Sequence, residues 1–322
     1  MPAGVSLAAV LQGHVSRRVG LPVLFAFGLL LGLAERVPGL SAAGAALLLG
    51  AFPQLLSCLT RDRGLLRAPH APGSVLRWFA LVTGLALGVV AGGALLLGTL
   101  AIRAPVVAAA LLGVAVCASA AVYLRRGSAD FWRLPLLAVG VVLGFGMNIA
   151  EPAPEVPSFL PGLIDAAVSA ATALVPGVGL ERAAIVSGAH ACVSMLLDGG
   201  ADWRLLLFAL VFVAGFVVFG QGLLRMWARF PAATETILLG ALLGGLARLW
   251  PWQLVSAYTL GASGDQLAIG ARAVSPWTWA AHTGVDPALL GTPAALLSGV
   301  LATGLLMRLV AVLHVDGREL PP

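Results

Sequence analysis

Two places in this 322-residue chain set ionisable side chains beside a helix-breaking Pro-Gly pair within an apolar run. The first reads Glu35-Arg36-Val37-Pro38-Gly39-Leu40-Ser41, the second Pro176-Gly177-Val178-Gly179-Leu180-Glu181-Arg182. Charge in an apolar run is costly and marks function by default. Pro stops the entering helix and Gly permits a sharp turn, so the helix that starts after each break has free N–H groups at its first turn. Such an N-terminus is an anion site, and the planar fork of Arg suits phosphate. Two facing N-termini, flanked by Arg36 and Arg182, would hold a phosphate, with Ser41 as hydroxyl donor or N-cap. Glu35, Glu181 and Glu235 are the candidate carriers of a coupling proton. A structural reading uses the same residues, as Glu–Arg ion pairs within or across the tips and no ligand. Asp165 reads as solvated near an outer entrance, Arg248 and Arg308 as span-end arginines that snorkel, and His190 as structural. No metal-ligand cluster and no Ser-His-Asp spacing occurs, so neither metal nor cofactor is expected.

The elements that carry these residues are helices in lipid. Apolar residues make up 60% of the chain and charged ones 10%, where a soluble domain has about 25% charged. Mean hydropathy is +0.99. Too few polar residues remain to cover soluble surfaces, so the expected fold is an all-α polytopic membrane protein, one integral membrane domain over 1–322. The net charge of +5 comes from 19 basic residues, all arginine, scattered between apolar runs as topology signals are; no nucleic-acid partner is implied. Cys58, Cys117 and Cys192 all lie in apolar stretches, against a disulfide framework. The N-terminal arginines follow residues 1–16, contrary to a cleavable signal. Leu7, Val10, Leu11 and Val15 fit either an interfacial helix or a frayed tail.

Spans are expected at 78–102, 105–124, 134–150, 204–224, 232–249 and 290–313. Regions 20–60 and 158–197 are broken by the two Pro-Gly tips. Arg17 and Arg18 precede the first broken region and Arg61, Arg63, Arg67 and Arg77 follow it, so both its ends read as cytoplasmic. Its first arm of about 15 residues reaches only ~22 Å, short of a ~30 Å bilayer core. A re-entrant hairpin fits best; two full spans with a tight outer turn are the alternative. Alternation then places Arg125-Arg126, Arg225, Arg229 and both termini inside, and the acidic Glu151–Glu155 loop outside. The second hairpin enters from outside and ends near Asp198 and Asp202. The stretch 250–289, with Trp250, Trp252, Trp277 and Trp279, belongs at the outer interface. The result is an inverted repeat, 20–150 and 158–313, each half a re-entrant hairpin plus about three transmembrane helices. Arg103-Ala-Pro105 before Leu111-Leu-Gly113 is echoed by Arg229-Phe-Pro231 before Leu238-Leu-Gly240. Such repeats with broken helices are a recurring transporter plan.

At the tips the sequence resembles a known family. Gly32-Leu-Ala-Glu35-Arg-Val-Pro38-Gly39-Leu-Ser41 followed by Leu47-Leu-Leu-Gly50 is similar to its motif G-x-A-[DE]-x-x-P-G-V-S-G-G-T and L-L-x-G. Ala173-Leu-Val-Pro176-Gly177-Val178-Gly179 is similar to its L-P-G-I-S-G-S. The segment Leu238 to Trp252 resembles its L-L-G-L-x-L-G-S-L-R-x-L-W-P-W. The family is the bacterial polyprenyl-phosphate translocases of the PopT type, and the likeness covers roughly 20–255. It implies a flippase that returns undecaprenyl phosphate from the outer to the inner leaflet of the bacterial cytoplasmic membrane, for recycling in cell-wall glycan synthesis, driven by a proton or sodium gradient. This chain departs from the motifs at Ala42-Ala43, Gly44, Gly179 and Leu180-Glu181, which remove hydroxyl donors and backbone room from the tips.

Two other functions compete. One is ion-coupled transport of a small soluble anion. The other is a membrane undecaprenyl-diphosphate phosphatase, whose A-L-x-P-G-x-S-R-S-G-A-T-I motif is similar to Ala173–Ile185. Here, however, Gly179-Leu180-Glu181 stands where the Ser-Arg-Ser would be, and the first tip lacks the nucleophile-bearing pattern. A transporter, not an enzyme, is expected.

Overall fold

The computed structural model describes residues 21–60, 74–125, 131–150, 159–190, 192–193, 203–260 and 266–316. The candidate N-terminal helix, the arginines at 61–67, the acidic loop from 151 and Asp198 and Asp202 lie outside the described residues.

Helices dominate. The elements are α1 (Leu21–Glu35), α2 (Ser41–Leu48), α3 (Phe52–Thr60), α4 (Ser74–Arg125), α5 (Arg133–Ile149), α6 (Phe159–Ala173), α7 (Leu180–Ser187), α8 (Trp203–Arg229) and α9 (Pro231–Gly245). A 3-10 turn (Leu246–Leu249) follows, then strands β1 (Gln253–Leu260) and β2 (Gln266–Ala273), α10 (Pro276–Thr283) and α11 (Gly291–Asp316). Pro105–Leu124, Trp203–Arg229 and Pro231–Leu249 are long and apolar enough to cross a bilayer; Leu21–Glu35, Phe79–Gly93 and Arg133–Ile149 are apolar but shorter. Large apolar side chains such as Val90, Val142 and Leu206 stand exposed on the outer faces, as they do where lipid is the solvent. The protein is a helical membrane protein.

Both Pro-Gly breaks are turns between helices. In the first, Gly39 takes φ +77° between α1 and α2; in the second, Gly177 takes φ +87° between α6 and α7. The returning helices α2 and α7 are both short, and each ends at a second left-handed glycine, Gly50 or Gly188.

Helix directions follow from close glycine contacts. A Cβ on Gly28 would sit 2.2 Å from the Leu81 carbonyl oxygen and one on Gly84 2.2 Å from that of Phe25; Gly32 and Gly88 repeat the contact one turn on. Both numbers rise together, so α1 and the first half of α4 run parallel. In the same way α6 runs parallel to α8: Phe159 packs on Trp203 at one end, and Gly215 lies on Ala167 further along. Gly140 and Gly144 of α5 cross Gly240 and Gly244 of α9 in parallel, and Gly113 of α4 crosses Gly299 of α11. Small residues let these backbones touch, which is how helices associate in lipid.

Two expectations change. The spans 78–102 and 105–124 are one helical run, α4, with Pro105 inside it. That run still doubles back. Gly92 packs on Arg36 while Leu111 and Leu112 share a cluster with Val37 and Leu40. A straight helix would separate positions 92 and 112 by about 30 Å, whereas Arg36 and Leu40 are at most ~14 Å apart. The all-α expectation also fails at 253–273, where β1 and β2 pair antiparallel from Gln253–Ala273 to Leu260–Gln266. The two segments hold Val255, Tyr258, Thr259 and Ile269 and are joined by Gly-Ala-Ser-Gly-Asp, a hairpin composition overlooked beside the tryptophans. Trp250 Nε1 donates to the Val274 carbonyl at 3.0 Å and Trp252 Nε1 to that of Pro287 at 3.0 Å, tying the hairpin's base to the helices.

Candidate functional site

The two tips meet each other deep in the molecule. Ser41, Pro176 and Val178 are fully buried there beside Leu242 of α9. Gly245, at the end of α9, is the floor: a Cβ on Gly39 would lie 2.2 Å from the Gly245 carbonyl oxygen, and a Cβ on Gly245 2.7 Å from the Gly177 Cα. No larger residue fits at either contact. Both tips therefore sit on one helix end that the sequence places far from each of them.

The two helix N-termini converge, but their shared anion is the protein's own. Glu35 ends α1, and its Oε2 accepts the Ala42 N–H of α2 at 2.7 Å. Its Oε1 accepts the Leu180 N–H of α7 at 2.5 Å. One carboxylate thus satisfies a first-turn N–H in each hairpin, a charge-assisted cap on two helices at once. Ser41 makes a second bridge. Its Oγ accepts the Gly44 N–H at 3.2 Å and the Gly177 N–H at 3.1 Å, and its backbone is held at φ +55°. Of the two roles the sequence suggested for Ser41, donor or N-cap, its Oγ makes the N-cap type of bond, accepting the N–H three residues on. Pro38 and Gly39 shape the first turn; Pro176, Gly177, Val178 and Gly179 shape the second, with Gly179 facing Glu35 Oε1 at 3.3 Å from a built Cβ.

The arginines point at backbone carbonyls. Arg36 Nε donates to Val89 of α4 at 3.1 Å, and its side chain lies along Gly92, where a Cβ would crowd it at 3.1 Å, with Gly93 in ordinary contact beside it. Arg182, buried on α7, donates from Nε to Met147 at 3.4 Å and from a terminal nitrogen to Ala150, capping the C-terminal end of α5. A cation there meets the negative end of the helix dipole. Glu181 is exposed on α7. Glu235 lies ten residues before Gly245 on α9, about 15 Å from the junction, so the structure does not bring it to the tips. Asp165 lies on the entering arm α6, in electrostatic reach of Cys192.

Two residues were missed. Arg248, read from sequence as a snorkelling span end, sits half-buried on the 3-10 turn in electrostatic reach of Arg182 and Glu181. Its place in the Leu238–Trp252 motif was the available signal. Asn148 of α5 donates to Gly177 at 3.1 Å and to Gly144 at 2.8 Å, and its Oδ1 is buried without a hydrogen-bond partner among the described residues. A single amide in an apolar span was the signal for it. Arg36, Arg182 and Arg248 with Glu35 and Glu181 leave the junction one positive charge in excess, a bias toward an anion.

Broken helices whose short arms meet at a buried polar junction are a recurring plan of membrane transporters. The chain belongs to the undecaprenyl phosphate translocase-like (VCA0040-like) family, whose model matches residues 31–267. It is 26% identical over 260 residues to a polyprenyl-phosphate transporter of Vibrio cholerae serotype O1, covering 78% of this chain and 84% of that protein. No solved structure matches the chain. The family is one of transporters, and the chain is not an enzyme.

Proposed function

We propose that this protein carries undecaprenyl phosphate, or another polyprenyl phosphate, across the bacterial cytoplasmic membrane from the outer to the inner leaflet, returning a spent lipid carrier for reuse. The observation that carries this reading is the convergence of two helix N-termini from different hairpins on one anionic group. The related transporter's printed substrate supports the lipid class. The headgroup docks at the Ala42 and Leu180 N–H groups, with Arg36, Arg182 and Arg248 supplying positive charge around it. The polyprenyl tail stays in lipid.

The hairpins are re-entrant and the halves form an inverted repeat. Support comes from the paired crossings: each hairpin's first arm runs parallel to the long helix that follows it. Moreover, Gly113 meets the carbonyl three residues before Gly299, just as Gly240 meets the one three residues before Gly140. The second span of each half thus packs on the third span of the other. Rocking one half against the other would expose the junction to either side, with both termini inside and an ion gradient as the drive.

Binding separates this reading from its rivals. Purified protein in detergent is titrated with a short-chain fluorescent polyprenyl phosphate, against inorganic phosphate and polyprenyl alcohol as competitors. We expect unlabelled polyprenyl phosphate to compete at least about 100-fold better than either fragment, since tail and headgroup contribute together. Competition by inorganic phosphate alone, equal to that by the lipid, would identify a soluble-anion carrier and overturn the lipid reading.

A further inference from the structure

Phosphate and Glu35 need the same two N–H groups. Oε1 and Oε2 of Glu35 hold the Leu180 and Ala42 N–H groups at 2.5 Å and 2.7 Å, so an incoming phosphate finds both occupied. An ionised carboxylate keeps two charge-assisted bonds; a protonated one is a weaker acceptor and carries no charge to offset two helix dipoles. Removing that carboxylate also breaks one of the two bridges between the hairpins, because its two partners belong to different halves; the bond from the Gly177 N–H to Ser41 Oγ remains. A second polar atom points to a ligand here independently. Asn148, 3% exposed and bonded to the Gly177 carbonyl, keeps its Oδ1 without a donor among the described residues, and a phosphate O–H would supply one.

We infer that Glu35 is a tethered stand-in for the substrate: ionised, it caps α2 and α7 and latches the two hairpins together, and it gives both N–H groups to the phosphate as it takes up a proton. This rests on the tips being the phosphate site. The exchange balances in charge and atoms. One proton from solution binds Glu35 as one phosphate oxygen replaces each carboxylate oxygen, and the proton leaves when the headgroup does. The groups facing Glu35 are Arg36 from its own tip and Glu181 from α7, with Arg248 and Arg182 behind Glu181. The latch also explains why the first tip carries the carboxylate and the second hairpin only receives it: a single group that holds both halves must leave both at once. Substrate binding and release of the latch are then one event.

The test compares wild type with Glu35→Gln, an uncharged near-isostere, for binding of the same fluorescent lipid phosphate between pH 5.5 and 8.5. Changes in the lipid's own ionisation act on both proteins and cancel in the ratio. We expect wild-type affinity, relative to the variant, to fall about tenfold per pH unit once Glu35 is ionised, with the ratio flat below that range. Proton uptake on binding, followed with a pH dye in weak buffer, should be about one proton greater in wild type. If both proteins bind with one constant ratio at every pH and equal proton uptake, Glu35 does not compete and the inference falls while the lipid reading stands. If wild type does not bind the lipid at any pH, the lipid reading falls and takes the inference with it. Should Glu35→Gln fail to fold, Glu35→Asp serves: one methylene shorter, it cannot reach both N–H groups, and should bind lipid at least several-fold tighter than wild type at pH 8.5. Equal affinity there would overturn the latch.

Discussion

Ser41 sits in a conformation that L-residues rarely adopt, and two hydrogen bonds to its Oγ hold it there. Ser41→Ala keeps the strain and strands two buried N–H groups, one in each hairpin. We expect a loss of about 2 kcal/mol in stability, read as a lowered melting temperature in detergent. Arg182→Ala should uncap the end of α5 and reduce transport, and Arg182→Lys should not rescue it, because a single ammonium cannot reproduce the spread of a guanidinium over the Met147 and Ala150 carbonyls. The sequence made the residue types and the tips legible: a Glu, an Arg and a Pro-Gly break in lipid have few uses. It did not reveal which atoms meet. Gly177 and Ser41 are 136 positions apart, as Leu180 and Glu35 are 145. Only the folded chain shows the carboxylate, and not an arginine, on the helix N-termini. Nor could sequence spacing show that Gly92 makes room for Arg36.

Helices α5 and α9 cross at Gly140 and Gly240, and α4 and α11 at Gly113 and Gly299, all with carbonyls within 2.3 Å of where a Cβ would stand. Gly240→Leu and Gly113→Leu should each cost about 3 kcal/mol or more and reduce the monodisperse fraction after detergent extraction. Gly146→Leu is the control: nothing lies within 4 Å of its built Cβ, and it should extract as wild type does. Most helices were legible from apolar length, and the breaks at Pro38 and Pro176 from local chemistry. The turn-back inside α4 was legible as well, between the spans expected at 78–102 and 105–124, with Pro105 as the local breaker. Two features were not. The second breaks at Gly50 and Gly188 follow short arms that read as continuous apolar runs. The β1–β2 hairpin alternates too weakly to outweigh the tryptophans around it, which also mark an interface. A hairpin needs its edges solvated or covered, so its place is outside the hydrocarbon layer.

At the scale of the molecule, orientation and access are tested together. With the native cysteines replaced, Phe131→Cys and Phe230→Cys, both exposed, should react with an impermeant maleimide only after the cell membrane is opened, whereas Trp277→Cys on α10 should react in intact cells. Labelling of all three from outside would overturn the assigned sidedness and with it the inverted repeat. Movement of the lipid headgroup is the sharper test. Sealed proteoliposomes carrying a fluorescent short-chain polyprenyl phosphate in both leaflets are treated with an impermeant reductant. Wild type should quench nearly all of the signal. The Ser41→Ala/Arg182→Ala double variant, shown folded by its retained helix content, should stop at the outer-leaflet fraction of roughly half. Wild-type protein that also stops at that fraction, in vesicles shown to be sealed and with an imposed proton gradient of either sign, would contradict lipid-phosphate translocation by this chain.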